Sequence, residues 1–230
     1  MKRALARVLT IGAATFALAL GVLGFAHTSA CSPLFAAVMR VTHGGCPFGY
    51  DQALSPAQRE RAQLSFATTH RGERRARTRP ALGFLLDRTT RSEVVAQLAA
   101  HGIACAPGTG MSDLTCLGVP SQALPNAAGP ARNLWFTFGV RQQLLSILAL
   151  SRAHEADIIS ETFIATRSAL DDQAGTVTKT GGDSDPRVLT QGALRQASAE
   201  FRFRDYYALA RATNLGQSFV LTEEYRALPD

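Results

Sequence analysis

Cys31, Cys46, Cys105 and Cys116 are the side chains whose type and spacing bear most directly on chemistry. In an oxidising compartment an even count implies two disulfides, and of the three pairings that four cysteines allow, the sequential one closes the shortest loops. The expectation is therefore Cys31–Cys46 and Cys105–Cys116. The second pair encloses the turn signal Pro107-Gly108-Thr109-Gly110 and would staple a hairpin. A metal site on His43-x-x-Cys46 lacks a second ligand pair at suitable spacing.

Other reactive groups do not assemble into a pattern. A serine hydrolase of the strand–elbow–helix kind needs Gly-x-Ser-x-Gly, which the chain lacks. Gly108-Thr109-Gly110 has no third glycine, and Gly181-Gly182 follows Lys179 instead of preceding it, so neither forms a phosphate cradle. The histidines, at 27, 43, 70, 101 and 154, never stand four apart. Asp171-Asp172 and Glu223-Glu224 place neighbours in a loop or on opposite strand faces, the pattern of solvated acids. The acids between 171 and 185 lack the spacing of a calcium loop. Phe201-Arg202-Phe203-Arg204 could stack bases, but a strand with aromatics inward and arginines outward explains it more simply. No catalytic residue, metal or cofactor is assigned, and neither an enzyme nor a nucleic-acid partner is expected.

The first thirty residues give the address. Lys2, Arg3 and Arg7 precede an uncharged run from Val8 to Ala26, and Thr28-Ser29-Ala30 offers small residues for cleavage. A cleaved signal peptide ending at Ala30 is the leading expectation. The alternative is a retained anchor, since nineteen residues at about 1.5 Å each nearly span a core of about 30 Å. Lipidation at Cys31 is a third outcome, disfavoured by Thr28 and by the unpaired Cys46 it would leave. All three imply export, to the periplasm or the outer face of the inner membrane.

Export also changes the meaning of the charge. The formal net charge is +6, from 24 basic and 18 acidic residues, and three of those cations precede the apolar run. Between Arg59 and Arg79 seven arginines face only Glu60 and Glu73, while from Pro80 onward 13 basic residues meet 15 acidic ones. Arg71, Arg74, Arg75, Arg77 and Arg79 are thus candidate contacts for an anionic surface such as lipid or lipopolysaccharide phosphate. A solvated helix end and linker is the plainer reading.

The elements that must position these groups follow from caps and periodicity. Ser55-Pro56-x-Gln58 starts a helix that runs to about His70, before Gly72. Ala81–Leu86 suits a buried strand, and Thr90-x-x-Glu93 caps a helix carrying Val94 and Leu98 and stopped by Gly102. Cys105–Val119 is the stapled hairpin, followed by strands at Leu134–Val140 and Leu144–Leu150. Ile159, Phe163 and Leu170 share one side of a long helix ending near Gly175, and 171–187 reads as an exposed loop. Phe201–Tyr206 and Phe219–Tyr225 close the chain as paired strands. The order predicts an α+β fold with two helices packed on a mainly antiparallel sheet. Helix-then-hairpin occurs twice, at 90–150 and 154–226, suggesting a duplicated unit, with an N-terminal helical arm outside it. The expected divisions are 1–30 as signal or anchor, 31–79 as a disulfide-clamped arm with an Arg-rich connector, and 80–230 as the domain.

Thr90-x-x-Glu93-Val94-x-x-x-Leu98, followed by Leu134-Trp135-Phe136-x-Phe138 and Leu144-Leu145-Ser146-Ile147, resembles the small outer-membrane assembly lipoproteins of the SmpA/OmlA (BamE-like) type. The stretch is also similar to the two-repeat architecture of secreted β-lactamase-inhibitor proteins. The resemblance covers about sixty residues and implies a non-catalytic binding scaffold in the cell envelope. The expected partner is another envelope protein or a membrane complex. An accessory subunit anchored by residues 8–26 and an unrecognised secreted hydrolase are the alternatives.

Overall fold

Two-residue alternation of apolar and polar side chains runs through much of the chain from Leu114 onward, and it builds one continuous antiparallel sheet. The computed structural model describes residues 56–108, 112–124 and 129–229. The expected signal or anchor segment and the expected Cys31–Cys46 bridge lie outside the described residues. Among those residues no helix is long and apolar enough to cross a membrane.

The chain enters through α1 (Pro56–His70) and an extended Arg-rich strap, then makes β1 (Pro80–Ala81) and β2 (Phe84–Leu85). The expected strand over Ala81–Leu86 is corrected here. Leu82 and Gly83 both take positive φ, 53° and 89°, so the run folds back into a tight two-stranded hairpin. α2 (Arg91–Ala100) starts at a complete capping box: Thr90 Oγ1 accepts from the Glu93 amide while the Glu93 carboxylate accepts from the Thr90 amide. These same Thr90 bonds hold the Glu93 carboxyl below its ordinary range.

Eight strands follow, interrupted by helices: β3 (Ala106–Pro107), β4 (Leu114–Val119), β5 (Arg132–Phe138), β6 (Leu144–Ala153), α3 (Ala156–Gln173), β7 (Lys179–Gly181), α4 (Pro186–Leu189), β8 (Gln196–Arg202), β9 (Tyr206–Asn214) and β10 (Phe219–Ala227). Their spatial order is β3-β4-β5-β6-β10-β9-β8-β7, every neighbouring pair antiparallel. The two four-stranded halves therefore meet last strand to last strand, at β6 and β10. Both edges are short, and Pro107 blunts one of them by withholding a donor.

This architecture overturns the α+β expectation. Among the described residues the protein is mostly β: the eight-stranded sheet is the body, and the helices there are few and short instead of forming a pair laid over a smaller sheet. The helix-then-hairpin unit is likewise corrected: each half is a helix followed by four strands, the four of the first half standing where expected and the two expected in the second half becoming β7, β8, β9 and β10. The loop expected over 171–187 contains β7 and α4; Lys179–Gly181 pairs with Ser198–Glu200, and Asp185 caps α4 by accepting from the Arg187 amide. The strand expected over Phe201–Tyr206 is broken by the turn at 203–205 between β8 and β9.

One sheet face carries the core. Leu134, Phe136, Ile147, Ala149, Leu221 and Tyr225 point inward and are buried, and α3 lies over this face with Ile159, Phe163 and Leu170. Ala197, Ala199, Ala208, Ala210 and Ala212 supply only methyl groups from β8 and β9, which lets a helix approach closely. The opposite face is the one that α1 partly covers.

Candidate functional site

The outer face is defined by register. Thr115, Trp135, Leu148, Glu224, Leu209 and Glu200 stand side by side across six strands and share it. Two residues along, Leu150, Thr222 and Arg211 form the next row, and Arg152, Val220 and Thr213 the one beyond. α1 packs over one end of this face, where Ala67 and Phe66 meet Tyr207, Leu209 and Leu228. Phe66 stacks on His70 with centroids 4.0 Å apart, Tyr207 meets both rings edge-on, and the Arg226 guanidinium sits 4.3 Å above Phe66. Burial first, then the nearby carboxylates of Glu200 and Glu224, pushes the Tyr207 phenol well up.

Between the N-terminal half of α1 and the sheet lies a groove of about 460 Å³. Trp135, Leu148 and Leu150 line the sheet side; Arg59, Ala62 and Gln63 line the helix side. That size falls in the range of about 300–1,000 Å³ typical of ligand pockets. Arg59 bonds to Asp113, whose second oxygen accepts from the Phe138 amide at 2.7 Å, so helix and sheet are pinned at this point. Arg226 pairs with Glu224 at the other end. The arrangement is an apolar slot with polar ends.

The inner face holds buried charge. Glu223 is 1% exposed: one carboxylate oxygen accepts from Arg132 Nε at 2.8 Å and the other from the Tyr225 hydroxyl at 2.6 Å. Arg132 is equally buried, and burial together with Glu223 keeps the Tyr225 phenol strongly protonated. The expectation that Glu223 and Glu224 are both solvated is thus corrected. Strand parity carried the signal, since Glu223 shares a face with Phe219, Leu221 and Tyr225, and Arg132 with Leu134 and Phe136.

The Arg-rich connector is a strap tied to the body. Gly72 donates to the Phe203 carbonyl at 3.0 Å, in a crossing so close that a Cβ there would stand 2.2 Å from the Arg202 carbonyl oxygen. The Ala76 amide donates to Asp205 at 3.0 Å. Arg77 donates to the Asp171 and Asp172 carbonyls at the C-terminus of α3, where cations complement the helix dipole. Arg79 pairs with Asp87 at 2.5 Å and Arg71 bonds to the Pro229 carbonyl, while Arg71, Arg74 and Arg75 are exposed.

Of the expected disulfides, Cys105–Cys116 is present, with Cα atoms 4.4 Å apart, joining the chain just before β3 to β4. His70 is in the α1 cluster, His101 caps α2 and His154 Nδ1 lies 3.3 Å from the Gln217 carbonyl, so the fold does not bring these three together. Among the described residues no group of three or more His, Cys, Asp or Glu side chains could hold a metal ion. Comparison with protein-family models, with curated proteins and with solved structures returns no match.

Proposed function

We propose that this chain is an exported envelope protein that works by surface recognition, binding another envelope protein or a membrane complex through the outer face of its sheet. The observation that carries the proposal is the division of the sheet. One face is filled by the core, while the other leaves Trp135, Leu148 and Leu150 in an open groove beside α1. An apolar patch with a polar rim is the usual mark of an interaction surface. The resemblance to BamE-like and β-lactamase-inhibitor-like proteins supports the same reading. The uncharged run from Val8 to Ala26 supports a second form of it, an accessory subunit whose body is held at the membrane by a retained helix.

Purification from the native envelope in mild detergent, with intact-mass measurement, tests the proposal. A mass that begins at Cys31, together with a stoichiometric protein companion, is expected. A mass that begins at Met1 would assign the anchored form. A chain that begins at Cys31 but elutes alone at every detergent and salt condition would contradict the recognition role.

A further inference from the structure

The outer face is charged as well as partly apolar. Register places Arg152, Lys179, Arg202, Arg211 and Arg226 on it, against only Glu200 and Glu224. Arg202 pairs with Glu200 and Arg226 with Glu224, so both outer-face acids are already engaged. Arg152 and Arg211 are exposed, and neither has a hydrogen-bond or ion-pair partner among the described residues. They stand on either side of Val220 and Thr222 of β10, next to Leu150 and the groove.

The acids are concentrated on the other side. Glu155, Asp157, Glu161, Asp171, Asp172, Asp183 and Asp185 belong to α3 and the stretch from its ends to α4, which holds three cations, Arg167, Lys179 and Arg187, of which register turns Lys179 to the outer face. From Pro80 onward acids slightly outnumber bases, so the cationic outer face is a separation of charge and not a general excess. Such a separation orients an approaching anion toward one face and raises its encounter rate.

We infer that the outer face docks an acidic protein segment that places apolar side chains in the Trp135–Leu148–Leu150 groove and carboxylates against Arg152 and Arg211. This rests on the outer-face reading above and names the partner's chemistry. Charge complementarity selects the acid. The groove selects a polypeptide over a bilayer, because its apolar floor is walled by Arg59, Ala62 and Gln63 of α1, where a side chain can enter and a membrane surface cannot.

Trp135 is the chain's single tryptophan, so its fluorescence reports on the groove. The probes are synthetic peptides alternating Leu with Asp, Leu with Lys and Leu with Ser, titrated into the full chain in mild detergent. The Asp–Leu peptide is expected to shift Trp135 emission to the blue and saturate, and the Lys–Leu peptide to leave it unchanged. Affinity for the Asp–Leu peptide should fall about tenfold in R152E/R211E and about tenfold on raising salt from about 0.05 M to about 0.3 M. R152Q/R211Q should fall between, and serves if the reversed pair fails to fold. Equal binding of the Asp–Leu and Lys–Leu peptides, or binding indifferent to both arginine pairs, would overturn the inference. So would a shift produced by phosphatidylglycerol vesicles but not by the Asp–Leu peptide, or one produced by protein concentration alone, which would mark a second copy as the occupant. Equal binding of the Leu–Ser peptide would also overturn the acidic partner while leaving the outer-face reading intact.

Discussion

Glu223 and Arg132 meet in the core because strand parity leaves them nowhere else to go. Both sit on the inward alternation of their strands, and each ion has its cost of leaving water offset by the other and by the Tyr225 hydroxyl. Removing one partner therefore strands a buried charge. Arg132→Met is expected to lower the unfolding free energy by about 3–5 kcal/mol in urea denaturation, whereas R132M/E223L/Y225F should recover most of that loss. A triple variant no more stable than R132M would show that the network does more than neutralise itself. The inward position of Glu223 was legible in the alternation Phe219, Leu221, Glu223, Tyr225. Its partner was not, because pairing across 91 residues depends on β6 standing between β5 and β10.

At the scale of elements, local signals and tertiary placement diverge. The capping box at Thr90, the glycine stop at Gly102 and the bridge between Cys105 and Cys116 are local, and each is where its residues indicate. The Ala81–Leu86 run shows the limit, since apolar content alone could not reveal that Leu82 and Gly83 both turn left-handed. β7 was hidden for a similar reason: three small or polar residues carry no strand signal until Ser198–Glu200 pairs with them. The disulfide restrains the weakest edge, where β3 contributes only two residues to the sheet. Replacing both cysteines, C105A/C116A, should cost about 3 kcal/mol, read as a lower urea midpoint. A loss under about 1 kcal/mol would mean that the edge is held by noncovalent packing instead of by the covalent link.

For the whole molecule, two segregations coincide. The sheet separates a buried face from an open one, and the same sheet separates α3 with its acids from the face bearing Arg152 and Arg211. Composition could not show this, because a near-balanced count of charges from Pro80 onward conceals how they are distributed. The strand order could not be reached either. Eight strands became one sheet only through the β6–β10 pairing, which joins segments separated by α3, β7, α4, β8 and β9. Trp135, Leu148 and Leu150 look like ordinary strand residues until that joining leaves their face open under α1.

Site-specific photo-crosslinking in the native envelope tests the central claim most directly, with a photoreactive side chain placed at Thr222 on the outer face or at Ile164 on the exposed side of α3. A discrete crosslink to one protein from Thr222 and none from Ile164 is the predicted result. Crosslinking from Ile164 with none from Thr222 would place recognition on the helix side and contradict the account.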